Sequence, residues 1–296
     1  MSAAVSLRLH GLVQGCGVRP TIARLAHGLA LTGWVENTGD HVQVHIQGPE
    51  DALRQFTARL PGALPPAARL DACIVGDAVA EPVLQDFSIR AAGSATALRA
   101  LPDIPADRAI CAGCLAELGD PQSRRYAWPF IACAACGPRY AWLQALPFAR
   151  RNTTFSAFSP CESCATEQSR PDDKRFGMEL IACPQCGPEL RFVDTQQTLR
   201  GSEGIEALAR SLLAGGIVAL QGFCGFQLLA LADNANAVAR LRQFKARRDK
   251  PLAVLARSVS DAAQFVTIDE NEREWLAGPH RPIVLLRRHD RTFWPW

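Results

Sequence analysis

The chain has 296 residues, of which 48% are hydrophobic and 21% are charged, and its formal net charge is +3. These values are ordinary for a globular protein of two or three domains, and so small a charge does not by itself favour nucleic-acid binding. No apolar run is long enough to span a bilayer and no cleavable leader opens the chain, so the 11 cysteines predict a reducing, cytoplasmic location with thiols reserved for metal.

Residues 1–92 predict a ferredoxin-like domain. Residues 5–10 alternate between apolar and polar side chains, as in a half-buried strand, and Pro20 begins an apolar-periodic helix that continues to residue 31. This order of elements predicts two helices packed on one antiparallel sheet. The remaining predicted elements are strands at 34–37 and 41–47, a helix at 51–60 and a last strand within 70–90.

A glycine-rich loop, residues 11–19, joins the first strand to the first helix and reads Gly-Leu-Val-Gln-Gly-Cys-Gly-Val-Arg. Its glycines let successive N–H groups point into one concavity at a helix N-terminus, where an anion is favoured. Arg19 adds a guanidinium able to bind two phosphate oxygens. The alternative interpretation of the same residues is a tight turn followed by a surface arginine. The predicted phosphate-binding residues are Gln14, Gly15, Cys16, Gly17, Val18 and Arg19.

Here the chain resembles the acylphosphatase family, whose loop reads Gly-x-Val-Gln-Gly-Val-Gly-Phe-Arg and whose second strand ends in Gly-Trp-Val-x-Asn, as residues 33–37 do. The resemblance covers residues 5–91 and implies two catalytic roles, Arg19 holding the phosphoryl group and Asn37 orienting the attacking water. These roles suit an acyl phosphate, because its leaving group is good and hydrolysis needs mainly positioning and charge stabilisation.

Cys16 and Val18 replace the valine and phenylalanine of that family signature. A thiol at a helix N-terminus can become a reactive thiolate. The spacing from Cys16 to Arg19 is too short for a Cys-x5-Arg phosphatase loop, which favours the interpretation that Cys16 fills space.

Four Cys-x-x-Cys pairs form a two-fold repeat with a period of 50 residues, which places Arg125 on Arg175 and Tyr126 on Phe176. Each repeat can close a site of four thiolates with no position left for water, as in a structural zinc site. Disulfides, a redox pair and an interleaved division of the same cysteines are the alternatives. The two predicted zinc ions have as ligands, most simply, Cys111, Cys114, Cys133 and Cys136, and then Cys161, Cys164, Cys183 and Cys186.

Basic pairs lie inside both repeats of this region, which we place at residues 105–192. A zinc ion with four thiolates carries a net charge of about −2, so Arg124-Arg125 and Lys174-Arg175 are candidates to offset it. A solvated basic surface is the alternative.

Composition shifts at 93–96 and 195–203 predict linkers, and residues 200–296 alternate helix and strand in an α/β pattern. The basic run at 245–251 resembles the Lys-x-Arg…Lys-Pro motif of the YrdC/Sua-type nucleotide-binding family. That resemblance implies ATP binding, with phosphate contacts from Lys245, Arg247 and Lys250. The predicted elements are helices at 205–214 and 236–244 and buried strands at 217–221, 252–255 and 283–286.

An acylphosphatase domain, duplicated zinc fingers and a YrdC-like domain in this order resemble the HypF carbamoyltransferase family, which matures NiFe-hydrogenases. The resemblance implies carbamoyl phosphate as substrate, adenylation of carbamate with ATP, and transfer of the carbamoyl group to a HypE-type partner, where it becomes cyanide. The transferase domain of that family is missing, and residues 221–227 depart from the family's Lys-Gly-x-Gly-Gly-Phe-His. We therefore expect an α+β multidomain fragment with an incomplete YrdC-like domain and no complete transfer activity of its own.

Two hypotheses from other functional classes are also compatible with the sequence. A zinc-stabilised protein could bind duplex RNA through its fingers and the basic stretch 240–250, with a steep salt dependence. A truncated, inactive paralogue could instead act as a scaffold for maturation partners.

Overall fold

The computed structural model of the chain describes residues 3–92, 103–222, 225–247 and 250–289. The chain divides into two compact units, Met1–Pro188 and Glu189–Trp296. The predicted linker at 93–96 lies outside the described residues. In the described part of the chain, no helix is both long and apolar enough to cross a membrane.

The first half of the first unit has the predicted ferredoxin-like fold. Its five-stranded sheet has the order β4-β1-β3-β2-β5, and the two helices cover one face of it. Leu7, Ile22, Ile46 and Phe56 lie fully buried in the core between them. The elements are β1 (Ala3–Leu12), α1 (Val18–Gly28), β2 (Thr32–Asn37), β3 (Val42–Gly48), α2 (Glu50–Ala63), β4 (Arg69–Asp77) and β5 (Phe87–Ile89).

The region 70–90 contains two strands where the sequence pattern predicted one. β4 pairs antiparallel with β1, whereas β5 pairs parallel with β2 at the opposite edge of the sheet. A three-residue strand such as β5 is too short to produce a visible alternation of apolar and polar residues.

The second half of the first unit is built around two short helices that begin at equivalent positions of the repeat, α3 (Ala112–Gly119) and α4 (Glu162–Ser169). The first cysteine of each repeat, Cys111 or Cys161, is the N-cap residue of its helix. Regular structure is sparse, and apart from these helices the described chain here has three short 3₁₀ turns. A second apolar core that includes Trp142 and Phe155, stacked at 4.1 Å, holds the region together.

The two repeats pack differently against the sheet domain. Phe176 joins the first core and is 7% exposed, whereas its repeat equivalent Tyr126 is 51% exposed. Gly177, with φ of 63°, allows this approach, because a Cβ there would lie 2.7 Å from a side-chain carbon of Ile89 and 3.0 Å from Pro20. The second repeat is therefore the one that lies against α1.

The second unit contains short two-stranded sheets and helices. The helices predicted at 205–214 and 236–244 are confirmed within a few residues, and a strand forms at the place predicted at 217–221, but that strand is not buried as predicted. The elements are β6 (Arg191–Val193), β7 (Thr198–Arg200), α5 (Gly201–Leu213), β8 (Val218–Gly222), β9 (Gly225–Leu229), α6 (Ala235–Phe244), α7 (Val259–Ala262), β10 (Val266–Thr267), α8 (Glu270–Ala277) and β11 (Arg287–Arg288).

The buried strands predicted at 252–255 and 283–286 are wrong. Neither segment forms a strand, and Leu255, Ile283 and Leu285 are 97%, 86% and 82% exposed. An apolar run becomes a buried strand only where another strand supplies a hydrogen-bond ladder, and no described residue pairs with either segment.

Candidate functional site

The glycine-rich loop borders a cavity, which its residues Gly15 and Gly17 help to line. Gly15 and Gly17 have φ of 68° and 84°, and Gly17 is the N-cap residue of α1 with no side-chain cap. The N–H groups from Gln14 to Arg19 donate no hydrogen bond to any described protein group. Consecutive unpaired amides at a helix N-terminus form a binding site for an anion.

Two guanidinium groups line the cavity beside this loop, and they differ in what they bind. Arg19 is 6% exposed and donates from Nη2 to Glu179 Oε1 at 2.5 Å, while its other N–H groups have no partner among the described residues. Arg139 instead makes five hydrogen bonds of 2.6–3.0 Å, all to backbone carbonyls. Since a guanidinium has five N–H donors, Arg139 is saturated and Arg19 retains donors for a ligand.

Arg139 connects the phosphate loop to the first cysteine cluster. Its Nε donates to the carbonyl of Gly15, and its terminal nitrogens donate to carbonyls of residues 133–138. Burial lowers the pKa of Arg139, and the nearby sulfurs of Cys136 and Cys133 oppose that effect. The loop conformation therefore depends on a residue of the zinc-finger region.

Asn37 is the last residue of β2 and is fully buried. Its Nδ2 donates to the carbonyl of Phe148 at 2.8 Å, but its Oδ1 has no hydrogen-bond partner among the described residues. Gln14 binds the same segment, because its Oε1 accepts from the N–H of Phe148 at 2.9 Å. An unpaired buried carbonyl oxygen is costly unless a water or ligand pairs with it, so Asn37 has the geometry of a residue that holds a water.

A cavity of about 30 Å³ lies between the phosphate loop and the finger region, large enough to admit water. Arg19 lines it from α1, Phe148 from the segment between the repeats, and Met178, Glu179 and Leu180 from the second repeat. Arg19 and the loop glycines therefore face a wall that the finger region provides, whereas the predicted site residues Gln14, Cys16 and Asn37 do not line this cavity.

Cys16 is 3% exposed, and its Sγ donates to the carbonyl of Gln14 at 3.2 Å. Burial raises the pKa of the Cys16 thiol to about 11, and the charges of Arg139 and Arg108 only partly oppose this. A thiol that remains protonated near neutral pH is a poor nucleophile, which favours the space-filling interpretation.

The eight cysteines of the repeat form two clusters, one per repeat. Within each cluster the four Sγ atoms lie within 4.8 Å of one another. Contacts such as Cys133–Cys136 at 3.7 Å and Cys161–Cys183 at 3.8 Å are far too long for a disulfide. They match the edge of about 3.8 Å expected for four thiolates around zinc at about 2.3 Å. Both clusters therefore suit zinc, and the division is sequential rather than interleaved.

The basic pairs cross between the repeats. Arg124 Nη2 lies 2.8 Å from the Sγ of Cys164, a ligand candidate of the other repeat. Arg125 is 1% exposed and donates to Glu167 at 2.6 Å, while Arg175 is 3% exposed and donates to Glu117 at 2.8 Å. Burial raises the pKa of Glu117, but the hydrogen bonds from the second repeat outweigh it and bring that pKa to about 2. The buried arginines are structural links and not a solvated surface.

The predicted nucleotide-binding residues belong to the second unit. Lys245 is the C-cap residue of α6 and is exposed, as is Lys250, and Arg247 follows at the end of the helix. Arg242 donates to the backbone carbonyls of both Arg247 and Lys250. Phe223, Cys224, Arg248 and Asp249 lie outside the described residues.

Three contributors to the site were absent from the sequence-based prediction, namely Glu179, Arg139 and the backbone of Phe148. The repeat itself contained one usable signal, because Glu179 occupies the position that Pro129 has in the first repeat. A charged residue in one copy and proline in the other indicates a role outside the common zinc-binding fold.

Profiles of three families match the chain. Acylphosphatase matches residues 5–89, HypF finger matches 110–143 and 161–193, and the Sua5–YciO–YrdC family, described as telomere recombination, matches 210–295.

Curated relatives and solved structures match nearly the whole chain. Carbamoyltransferase HypF2 of Cupriavidus necator is 45% identical over 285 residues, which are 96% of this chain and 35% of the relative. Carbamoyltransferase HypF of Synechocystis sp. is 42% identical and covers 97% of this chain and 37% of the relative. The crystal structure of T. kodakarensis HypF has a TM-score of 0.90 at 33% identity, over 99% of this chain and 37% of that one.

A full-length HypF solved in a phosphate- and nucleotide-bound form has a TM-score of 0.88 at 31% identity, over 99% of this chain and 38% of that one. The chain thus spans little more than a third of the length of these relatives.

Proposed function

Since the chain belongs to the HypF carbamoyltransferase family, and spans little more than a third of the length of the relatives described above, we propose that its first unit hydrolyses carbamoyl phosphate. The observation that carries this proposal concerns Arg19, which is the last residue of the loop of unpaired amides. Its guanidinium group retains N–H donors for a ligand. A phosphoryl group matches both sets of donors.

The proposed reaction converts carbamoyl phosphate and water into carbamate and dihydrogen phosphate. The oxygen of water forms the new bond to phosphorus, and the bridging P–O bond breaks with its electron pair passing to the carbamate oxygen. The protons of the water pass to the phosphate. No protein nucleophile is needed, and Cys16 takes no part in the reaction.

Each residue of the site has one role in this step. The amides of residues 14–19 and the guanidinium of Arg19 stabilise the phosphoryl oxygens, where negative charge is concentrated. Asn37 accepts a hydrogen bond from the attacking water through Oδ1, the buried atom that lacks a protein partner. Gln14 and Asn37 both bind the backbone of Phe148, which fixes their orientation.

Zinc would act in this protein as a cross-link, because four thiolates leave it no position for substrate. Cys111, Cys114, Cys133 and Cys136 would hold one ion. The second ion would be held by the corresponding cysteines, Cys161, Cys164, Cys183 and Cys186.

We further propose that the second unit contributes part of a nucleotide site, with Lys245, Arg247 and Lys250 against the phosphates of ATP. The support is the Sua5–YciO–YrdC match over residues 210–295. In this proposal the chain acts within a HypF-type carbamoyltransferase, whose carbamoyl group passes to a HypE-type partner and supplies the cyanide ligands of NiFe-hydrogenases. The domain limits that we propose are 1–92, 105–192 and 200–296.

Phosphate release from carbamoyl phosphate by the zinc-loaded chain tests the central proposal. We expect Arg19→Ala to lower kcat/KM at least about a hundredfold, as the loss of a charge-stabilising donor does. Arg54→Ala, at a surface arginine of α2 that is 64% exposed, is the matched control and should behave as wild type. Equal rates for wild type and Arg19→Ala would refute the assignment.

A further inference from the structure

We propose that Glu179 determines which acyl phosphate the pocket accepts, by taking a hydrogen bond from the N–H₂ group of a carbamoyl substrate. This inference rests on the proposed hydrolysis of carbamoyl phosphate and adds to it the group that recognises the acyl end. The pocket would then prefer acyl phosphates that bear N–H donors over those that end in a methyl group.

Glu179 is fixed in place from two sides. Its Oε1 accepts from Nη2 of Arg19 at 2.5 Å, and its Oε2 accepts from the backbone N–H of Arg150 at 2.9 Å. The side chain of Arg150 also donates to the carbonyls of Glu179 and Ile181, so the backbone at this position is held as well. A carboxylate held in this way can recognise a ligand without first losing conformational freedom.

Glu179 also supplies the cavity with a carboxylate group, which accepts hydrogen bonds. Among the described side chains that line the cavity, it is the one carboxylate, and its neighbours on that wall are Met178 and Leu180. The loop amides and the two arginines are all donors, and donors suit the phosphate end of the substrate. An acyl group with N–H donors therefore finds its acceptor at Glu179, within reach of the phosphoryl-binding Arg19.

The repeat shows that the zinc-binding fold does not require this glutamate. The position equivalent to Glu179 in the first repeat is Pro129, although the flanking cysteines and arginines coincide. The second repeat is also the copy whose Phe176 packs into the core of the sheet domain. The glutamate thus occurs only in the second repeat, although Ala134 and Arg139 of the first repeat also line the cavity.

A purely structural ion pair between Glu179 and Arg19 is the competing explanation. It predicts that removing the carboxylate changes the turnover of every acyl phosphate by the same factor, because only the position of the Arg19 side chain changes. Recognition of the N–H₂ group predicts instead that carbamoyl phosphate loses more than acetyl phosphate does. A site built to pair with a substrate N–H discriminates strongly against analogues that lack it.

The test compares kcat/KM for carbamoyl phosphate and for acetyl phosphate, each corrected for spontaneous breakdown, in the zinc-loaded chain. We expect wild type to prefer carbamoyl phosphate and Glu179→Met to reduce that preference at least about tenfold. Glu179→Gln retains an acceptor oxygen and should keep part of the preference. Glu50→Gln, at a glutamate of α2 that is 77% exposed, is the matched control and should keep all of it.

Inhibition by inorganic phosphate shows whether each variant still binds the phosphoryl group. The inference is overturned if Glu179→Met and Glu179→Gln keep the wild-type ratio of the two substrates, or if wild type hydrolyses both substrates equally well. In both cases the proposed function stands. If wild type hydrolyses neither substrate, the proposed function fails first, and the inference fails with it.

Discussion

Arg125 and Arg175 occupy equivalent positions in the two repeats, and each donates to a glutamate of the other repeat. Arg125 binds Glu167 at 2.6 Å and the carbonyl of Ala182 at 2.8 Å. Arg175 makes the corresponding pair of bonds, to Glu117 and to the carbonyl of the first repeat's residue 132. The two fingers are therefore joined by a pair of reciprocal buried ion pairs.

Replacing Arg125 should destabilise the whole finger region. We expect Arg125→Met to lower the free energy of unfolding by about 3 kcal/mol, because it leaves Glu167 partly buried with fewer partners. Urea denaturation of the zinc-loaded chain measures this change, and the rate of zinc release to a coloured chelator should rise with it. Arg170→Met, at an arginine that is 59% exposed and pairs with Asp172, is the control and should leave the urea midpoint unchanged.

Asn37 should affect turnover more than binding. We expect Asn37→Ala to lower kcat for carbamoyl phosphate about a hundredfold with little change in KM, since the residue positions the water and does not bind the phosphoryl group. Gln55→Ala, on the exposed face of α2, should leave both constants unchanged. A rise in KM with unchanged kcat would show instead that Asn37 binds substrate.

Cys16 should be dispensable for catalysis. Because burial raises the pKa of its thiol to about 11, the group is protonated from pH 6 to pH 9, and we expect no titration of it in the pH–rate profile over that range. Cys16→Val, which restores the acylphosphatase signature at this one position, should retain hydrolysis. Loss of activity in a variant that keeps the wild-type circular dichroism spectrum would indicate that the thiol takes part in the chemistry.

Zinc removal should weaken the phosphate site as well as the fingers. Arg139 binds the carbonyls of Cys133 and Cys136 on one side and of Gly15 on the other, so loss of the first zinc would release the loop. We expect chelation to raise the inhibition constant of inorganic phosphate, and Arg139→Lys to do the same with zinc present. Lysine has three N–H donors and cannot replace five bonds to carbonyls.

An unchanged inhibition constant after verified removal of both ions would contradict this coupling. The matched control is Arg54→Lys, at a side chain of α2 that is 64% exposed and pairs with Glu50.

Much of the first unit follows from local sequence patterns. Alternation at residues 5–10 and the apolar period after Pro20 predicted the strand and the helix that frame the phosphate loop, because both patterns come from one buried face. The cysteine repeat predicted two four-thiolate clusters for a similar reason, since ligand spacing is itself local. These features required no knowledge of long-range contacts.

The features that the sequence did not predict depend on contacts between distant segments. Glu179 meets Arg19 across 160 residues, and Arg139 meets Gly15 across 124. The apolar periodicity of a helix or strand carries no information about such long-range contacts. The strands predicted at 252–255 and 283–286 failed for a related reason, because an apolar run does not reveal whether a partner strand is present.

The reciprocal bonds of Arg125 and Arg175 have a consequence for the architecture of this region. A solitary finger would keep only the longer contact between its arginine and its own glutamate, which is 3.5 Å for Arg125–Glu117 and 4.0 Å for Arg175–Glu167, and would lose the shorter bonds to the other repeat. The short reciprocal bonds therefore require two copies of the finger, either as two identical chains related by a symmetry axis or as two repeats of one chain. In both arrangements, the structural unit is the pair of fingers and not the single finger.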